Sequence, residues 1–264
     1  MPELPEVEVI RRGLTPRVLG RLVTDAGSHP SSKFTPAVEV VGATFTAVGR
    51  RGKYLILDTD LDTELVAHLG MTGSFIPDPD DTVTHLRAWW RFDDGTRLGY
   101  RDIRRFGRLR VVPRSDYSSI PTLHHMGPEP TSDHFTPGGL RRAIAGSNRP
   151  IKTQLLSQRP VAGLGNIYAD EALWLAGISP MRRRLGSARA TRLHQAIGTV
   201  IAQGLAHGGT TLRDYRTTDG QPGANQHHLA CYGRGGEPCR RCGTTLQVRT
   251  IDARSTTSCP SCQR

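Results

Sequence analysis

Four cysteines near the C-terminus, Cys239, Cys242, Cys259 and Cys262, constrain this chain more than any other feature. They read C-x2-C, a gap of 16 residues, then C-x2-C. Each C-x2-C turn places two thiolates on one side of a tetrahedral ion, which is zinc-ligand spacing. Two disulfides are the competing account, and paired C-x2-C turns in a chain without a secretion signal disfavour it. The tail from about residue 228 is too short for a core of its own, so a metal must hold it. Four thiolates leave no position open for water, so the zinc is expected to be structural. Cys231 lies eight residues before the quartet and is expected to be a packed thiol.

The 264 residues suffice for two modest domains. Residues 5–19 form an expected helix, with Val7, Ile10 and Leu14 on one face and Pro5 in its first turn. From about 21 to 112 the pattern changes to short apolar runs such as Tyr54–Leu57, Leu65–Ala67, Ala88–Phe92 and Leu109–Val112, and Asp93-Asp94-Gly95 makes a hairpin turn. This pattern predicts a β-sandwich. Residues 113–135 carry five prolines and glycines and read as a connection. Beyond it the period is helical: Leu193, Ile197, Val200, Ile201 and Leu205 share a face that Gly208-Gly209 closes. A shorter helix is expected over Ile167–Ala176, with Asn166 as its N-cap and Gly177 and Pro180 as stop signals. The fold class is α+β, divided into residues 1–112, a connection at 113–135, a helical domain at 136–227 and the metal-bound tail at 228–264.

No apolar run approaches the length of a membrane span, and no signal peptide opens the chain, so a cytoplasmic, nucleoid-facing location is expected. The formal charge of +11 indicates a polyanionic partner. Because most of the cations are arginines rather than lysine blocks, nucleic acid is favoured over an acidic membrane.

The chain opens Met1-Pro2-Glu3-Leu4-Pro5-Glu6. Methionine is normally trimmed before a small residue, which leaves Pro2 as a free secondary amine. Such a group titrates well below lysine and is partly nucleophilic at neutral pH. Its attack on a carbonyl-like carbon gives an iminium ion, an electron sink, and Glu3 beside it can shuttle protons. The glycine turn before Asn166 presents backbone N–H groups and a helix dipole suited to phosphate. Met71 and Phe106 sit in glycine-bounded loops, His68–Gly73 and Asp102–Gly107. Large side chains there could fill the hole left by an extruded nucleotide, with an arginine bonding the orphaned base.

The opening octapeptide, Arg50-Arg51-Gly52-Lys53-Tyr54, the segment Gly163–Pro180 and the cysteine tail together closely resemble the formamidopyrimidine-DNA glycosylases, in the right order and over essentially the whole chain. The resemblance implies a bifunctional repair enzyme with a β-sandwich, a helix–two-turn–helix and a zinc hairpin. It would act as a monomer on double-stranded DNA carrying oxidised bases or abasic sites. It assigns Pro2 as nucleophile, Glu3 as proton shuttle, Lys53 to the lyase step and Arg254 to the flipped site and δ-elimination. Met71, Arg104 and Phe106 match the void-filling residues, His85, Lys152 and Asn166 match DNA contacts, and Glu6 supports the amine. Thr210–Tyr215 looks like the base-capping loop. The match favours oxidised purines such as 8-oxoguanine. The related endonuclease VIII branch, which prefers oxidised pyrimidines, is one alternative, and a non-catalytic zinc-ribbon protein binding distorted DNA is another. The chain departs from the pattern at Ile103, where proline is usual, at Gly223-Ala224-Asn225-Gln226, which lacks an aromatic residue, and at Cys231, where an aliphatic residue is more usual.

Overall fold

A computed structural model describes residues 1–264. It resolves two compact units, Met1–His124 with His207–Ala224, and His125–Ala206 with Asn225–Arg264.

The first unit begins with α1 (Leu4–Val18), whose Leu4, Val7, Ile10, Leu14 and Val18 are buried at three- and four-residue spacing. Eight strands follow: β1 (Val23–Ser28), β2 (Phe45–Arg51), β3 (Tyr54–Thr59), β4 (Thr63–His68), β5 (Gly73–Pro77), β6 (Leu86–Phe92), β7 (Arg97–Asp102) and β8 (Arg108–Pro113). They form two antiparallel sheets, ordered β1-β6-β7-β5 and β2-β3-β4-β8. Period-two alternation turns Ala88, Trp90 and Phe92 of β6 inward. They join Phe45, Leu55, Leu57, Leu65, Tyr100 and the apolar face of α1 in one core. The Trp90 indole would be costly there unpaired, and its Nε1–H donates to the Ala37 carbonyl at 2.9 Å. The expected sandwich is therefore present, and the predicted turn after Phe92 joins β6 to β7. The stretch read as a plain connection contains one short helix, α2 (Pro121–His124).

The segment after the long helix returns to this first unit. Its ties are both polar and apolar: the Thr210 backbone N–H donates to Glu6 Oε1 at 2.7 Å, and Tyr215 joins the sandwich core.

The second unit holds α3 (Pro137–Ala145), α4 (Ile151–Leu156), α5 (Asn166–Ala176), α6 (Ser187–Ala206) and the hairpin β9 (Gln247–Ile251) and β10 (Arg254–Ser258). Leu193, Ile197, Val200 and Ile201 of α6 are buried, as their spacing predicts. Helix α5 ends at Gly177, whose φ of 67° is left-handed and suits glycine. One cap differs from expectation. Gly165, not Asn166, is the N-cap of α5, and Asn166 is the first helical residue. Within the helix, the Asn166 side chain is turned to the hairpin, where Nδ2 donates to the Ser255 carbonyl of β10 at 2.9 Å. No helix is long and apolar enough to cross a membrane.

Candidate active site and metal centre

The start of α1 packs Pro2, Glu3 and Glu6 out of solvent. Glu6 divides its carboxylate between two backbone donors. Oε2 accepts from the Glu3 N–H at 2.8 Å, and Oε1 accepts from the Thr210 N–H at 2.7 Å. The same side chain thus fixes the first turn of the helix and the returning segment. The chain-terminal amine, here that of Met1, has its pKa lowered by burial; Glu3, Glu6 and Asp214 oppose this, and Lys53 reinforces it. The charges that act on the Met1 amine are thus three carboxylates and one ammonium.

Lys53 lies in the tight β2–β3 turn and is only 3 % exposed. Its neighbour in the electrostatics is His68, at the end of β4, which sequence reasoning quoted within a motif without giving it a role. The ring lies 4.8 Å from that of Tyr54, and Nδ1 accepts the Gly70 N–H at 3.2 Å. Burial first, then Lys53, Arg108 and the chain terminus, lower the His68 pKa from 6.5 to about 4. At neutral pH the imidazole is uncharged, with Nδ1 as acceptor and its proton on Nε2. A histidine lowered on folding binds fewer protons than its unfolded form between pH 6.5 and about 4, so stability is intact above that window and declines as pH falls through it. The loss should reach about 3 kcal/mol at its acid end. Urea titrations at pH 7 and pH 4.5 are expected to show this decline in the wild type and a smaller one in His68→Gln.

The two loops bearing the expected void-filling residues are joined through one buried carboxylate. Asp102, fully buried, accepts the Gly107 N–H on Oδ2 at 2.7 Å and the Thr72 hydroxyl on Oδ1 at 2.5 Å. Thr72 Oγ1 in turn accepts the Arg104 N–H at 3.0 Å. On this frame Met71 is 37 % and Phe106 49 % exposed, and the Arg104 guanidinium stands 4.7 Å over the Phe106 ring. Exposed apolar side chains held on a rigid polar frame are the reverse of core residues. Asp102 was part of the quoted motif, but nothing local marks it as the link between the loops. His85 is exposed on the same unit with a φ of 64°, and its carbonyl accepts the Asp102 N–H at 3.0 Å.

The second unit corrects one assignment. Lys152 was expected to grip DNA, yet its side chain is fully buried. Its ammonium pairs with Asp170 at 2.7 Å and donates to Thr256 Oγ1 at 2.8 Å and to the Ser255 carbonyl at 3.0 Å. A charge so far from water must be paired, and here its partners belong to α5 and to the hairpin. Asp170 Oδ2 also accepts the Thr257 N–H at 3.0 Å. The lysine therefore fixes the hairpin onto α4 and α5 rather than facing a ligand. Truncating it strands the Asp170 charge, so Lys152→Met should lower stability by about 3–5 kcal/mol. The double variant Lys152→Met/Asp170→Asn should recover a large part of that in urea unfolding. Arg254 is exposed at the start of β10, directly after Asp252 and Ala253, whose φ values of 46° and 59° make the twisted two-residue turn a hairpin prefers.

The four cysteines converge as their spacing predicts. All four Sγ atoms lie within 4.8 Å of one another, and those of Cys242 and Cys259 are 3.6 Å apart. Tetrahedral thiolates about 2.3 Å from one ion need roughly that separation, so the set fits a single zinc. Donors already face the sulfurs: Trp174 Nε1–H reaches Cys239 at 3.3 Å, and the Cys262 N–H reaches Cys259 at 3.3 Å. Only Leu246 and the half-buried Trp174 pack apolar surface against the cluster. Cys231 is a packed thiol, as expected: it is fully buried, burial pushes its pKa up, and its Sγ–H donates to the Thr257 carbonyl at 3.1 Å. Sequence reasoning missed Glu171, whose carboxylate accepts the backbone N–H groups of Ala230, Cys231 and Tyr232 at 2.7–2.9 Å. It anchors the approach to the metal site.

Three family models match in order. Residues 1–109 match the formamidopyrimidine-DNA glycosylase N-terminal domain, 126–216 its H2TH domain, and 236–264 a zinc finger found in FPG and IleRS. The chain belongs to the formamidopyrimidine-DNA glycosylase family. The Thermus thermophilus formamidopyrimidine-DNA glycosylase is 45 % identical over 100 % of this chain and 98 % of its own. The Deinococcus radiodurans enzyme of the same name is 41 % identical over 100 % and 97 %. The crystal structure of the Thermus thermophilus MutM (Fpg) protein superposes with a TM-score of 0.92, covering 99 % of this chain and 98 % of that one at 45 % identity. A Lactococcus lactis Fpg in complex with abasic-site DNA gives 0.89 at 34 % identity, covering 99 % of each. Membership in this family, with its zinc finger, identifies the cysteine site as a structural zinc centre.

Proposed function

We propose that the protein excises oxidised purines from duplex DNA and cleaves the abasic strand, using Pro2 as nucleophile after removal of Met1. The observation that carries this reading is the pairing, in one compact unit, of a buried Pro2-Glu3 end with the exposed Met71, Arg104 and Phe106 side chains. The relatives named as glycosylases, and the Lactococcus lactis Fpg bound to DNA containing an abasic site, support it. The soluble character of such chemistry fits a cytoplasmic, nucleoid-facing protein acting as a monomer.

In this reading Met71 and Phe106 occupy the space left by the extruded nucleotide, and Arg104 bonds the orphaned base. Flipping costs roughly a few kcal/mol, which these contacts offset. The Pro2 nitrogen attacks C1′, the base departs, and Glu3 delivers a proton to the sugar ring oxygen as the ring opens. The iminium acidifies the C2′ proton, and β-elimination breaks the 3′ C–O bond. Lys53 serves the lyase step, and Arg254 assists the later δ-elimination, which breaks the 5′ C–O bond and leaves a one-nucleotide gap. His85 and Asn166 contact the duplex. Lys152 acts indirectly, by holding the hairpin that carries Arg254. The zinc supplies folding energy and takes no chemical part, because four thiolates fill its coordination sphere.

Incubation with an 8-oxoguanine:cytosine duplex and sodium borohydride tests the reading. A covalent adduct, with strand cleavage when borohydride is left out, is the expected result. An adduct only on a duplex with an oxidised pyrimidine would transfer the protein to the endonuclease VIII type of specificity. Binding with no adduct on either duplex would leave a DNA-binding protein without the chemistry.

A further inference from the structure

Helix α1 does a second task at its far end. The segment returning from α6 lies along it, and two contacts made in its C-terminal half grip that segment. At Gly13 the helix has a notch: a Cβ built there would stand 2.0 Å from Thr218 Oγ1 and 3.3 Å from Thr218 Cβ. Thr218 is only 6 % exposed, so its side chain is seated in that notch. One turn further on, Arg17 Nη2 pairs with Asp219 Oδ1 at 2.6 Å. Glycine inside a helix costs stability relative to alanine, and nothing in the helix itself asks for one at this position. The close approach of Thr218 does.

The gripped segment forms one wall of a cavity of about 750 Å³, within the range of ligand pockets. Arg213, Asp214, Arg216 and Thr217 face it from this wall, Thr72 from just before β5 and Ser74 from within it. The cavity thus offers guanidinium donors, a carboxylate and hydroxyls, the groups that read the edge of a nucleobase. It is linked to the reactive end of α1, since Asp214 lines it and also acts on the charge of the chain-terminal amine. Thr72 links it to the wedge loops through its bonds to Asp102 and Arg104.

We propose that Gly13 and Arg17 are positioning residues that hold residues 211–220 as the wall of a base-accepting cavity, so that base release depends on them while cleavage of an existing abasic site does not. The inference rests on the glycosylase reading. One helix then holds the nucleophile just ahead of its first turn and fixes the base-reading wall with its last two turns, which sets the distance between them. The pair Arg17–Asp219 is 39 % and 63 % exposed at its side chains, so the notch is the stronger of the two contacts.

The test compares two duplexes in single-turnover kinetics with processed protein: one with 8-oxoguanine opposite cytosine, the other with a preformed abasic site. Gly13→Ala should slow base release about tenfold or more, since small misplacements near a reacting group are costly. Nicking of the abasic duplex should stay within about twofold of wild type. Adding Thr218→Ala removes the colliding hydroxyl and should restore most of the lost rate. Arg17→Glu should slow base release by about two- to fivefold, and Arg17→Glu/Asp219→Arg should recover it, as for an exposed pair. Equal losses on both duplexes, unchanged base release in Gly13→Ala, or no rescue by Thr218→Ala would each overturn the inference while leaving the glycosylase reading standing. A wild-type protein that nicks the abasic duplex but releases no base would overturn the reading, and this inference with it.

Discussion

Blocking the Pro2 nitrogen is expected to abolish both the borohydride adduct and base release. An N-terminal extension that cannot be trimmed makes that nitrogen a tertiary amide, with its lone pair delocalised into the carbonyl and no proton to lose. Pro2→Gly should reduce base release comparably, because glycine offers a primary amine on a more flexible backbone. The loss should be on the order of a thousandfold or more, as for removal of other enzyme nucleophiles. Duplex affinity should change little, since the contacts assigned to DNA lie on Met71, Arg104, Phe106, His85, Asn166 and Arg254. Gel-shift titration beside single-turnover cleavage separates the two effects. The surroundings sharpen the prediction. Around the Met1 amine, burial and Lys53 lower the pKa, while Glu3, Glu6 and Asp214 raise it. Glu6→Gln keeps an acceptor for the Thr210 N–H and removes one of these charges. A tagged or Pro2→Gly protein that still released 8-oxoguanine at the wild-type rate would rule out the amine mechanism.

Much of this was written locally in the sequence. The helix α1 follows from apolar residues every three or four positions, and the sandwich from alternation such as Ala88, Trp90 and Phe92. The metal set needs only two short turns, and those are visible as spacing. What the sequence hid depends on partners far along the chain. Lys152 resembles a DNA contact, and no local pattern shows that Asp170, Ser255 and Thr256 converge on its ammonium. Nor does anything near Asn166 show that its amide donates to a carbonyl 89 residues away. The segment after α6 resembles a capping loop, but no local pattern shows that Glu6, Gly13 and Arg17 at the opposite end of the chain hold it. Glycine 13 is the subtlest case, since its meaning lies wholly in Thr218. Short-range periodicity declares elements; buried polar contacts, which decide how they are joined, are silent until the chain is folded.

Removing the zinc is the other change with a large expected effect, and it should act through folding alone. The cluster has little apolar support beyond Leu246 of the tail and Trp174 of α5, so the metal must supply most of the energy that orders the tail. Structural zinc sites contribute about 10–16 kcal/mol of apparent binding energy at neutral pH, far more than such a small core can replace. Chelation, or Cys259→Ser, should therefore melt the hairpin β9–β10. Its loss exposes Lys152 and Asp170, whose other partners, Ser255, Thr256 and Thr257, all lie on β10. The damage should spread to α4 and α5 but stop short of the sandwich, whose core contains no residue of the tail. Hydrogen exchange should show protection lost over residues 228–264 and reduced over 151–176, with β6 and β7 unchanged. Cleavage and DNA binding should fall together, because Arg254 and Asn166 lose their placement. The amine end is untouched by this change, so free abasic sugar at high concentration should still be trapped by borohydride. A zinc-free protein with an ordered hairpin, full DNA affinity and full cleavage would show that side-chain packing alone holds the tail, against the small size of its core.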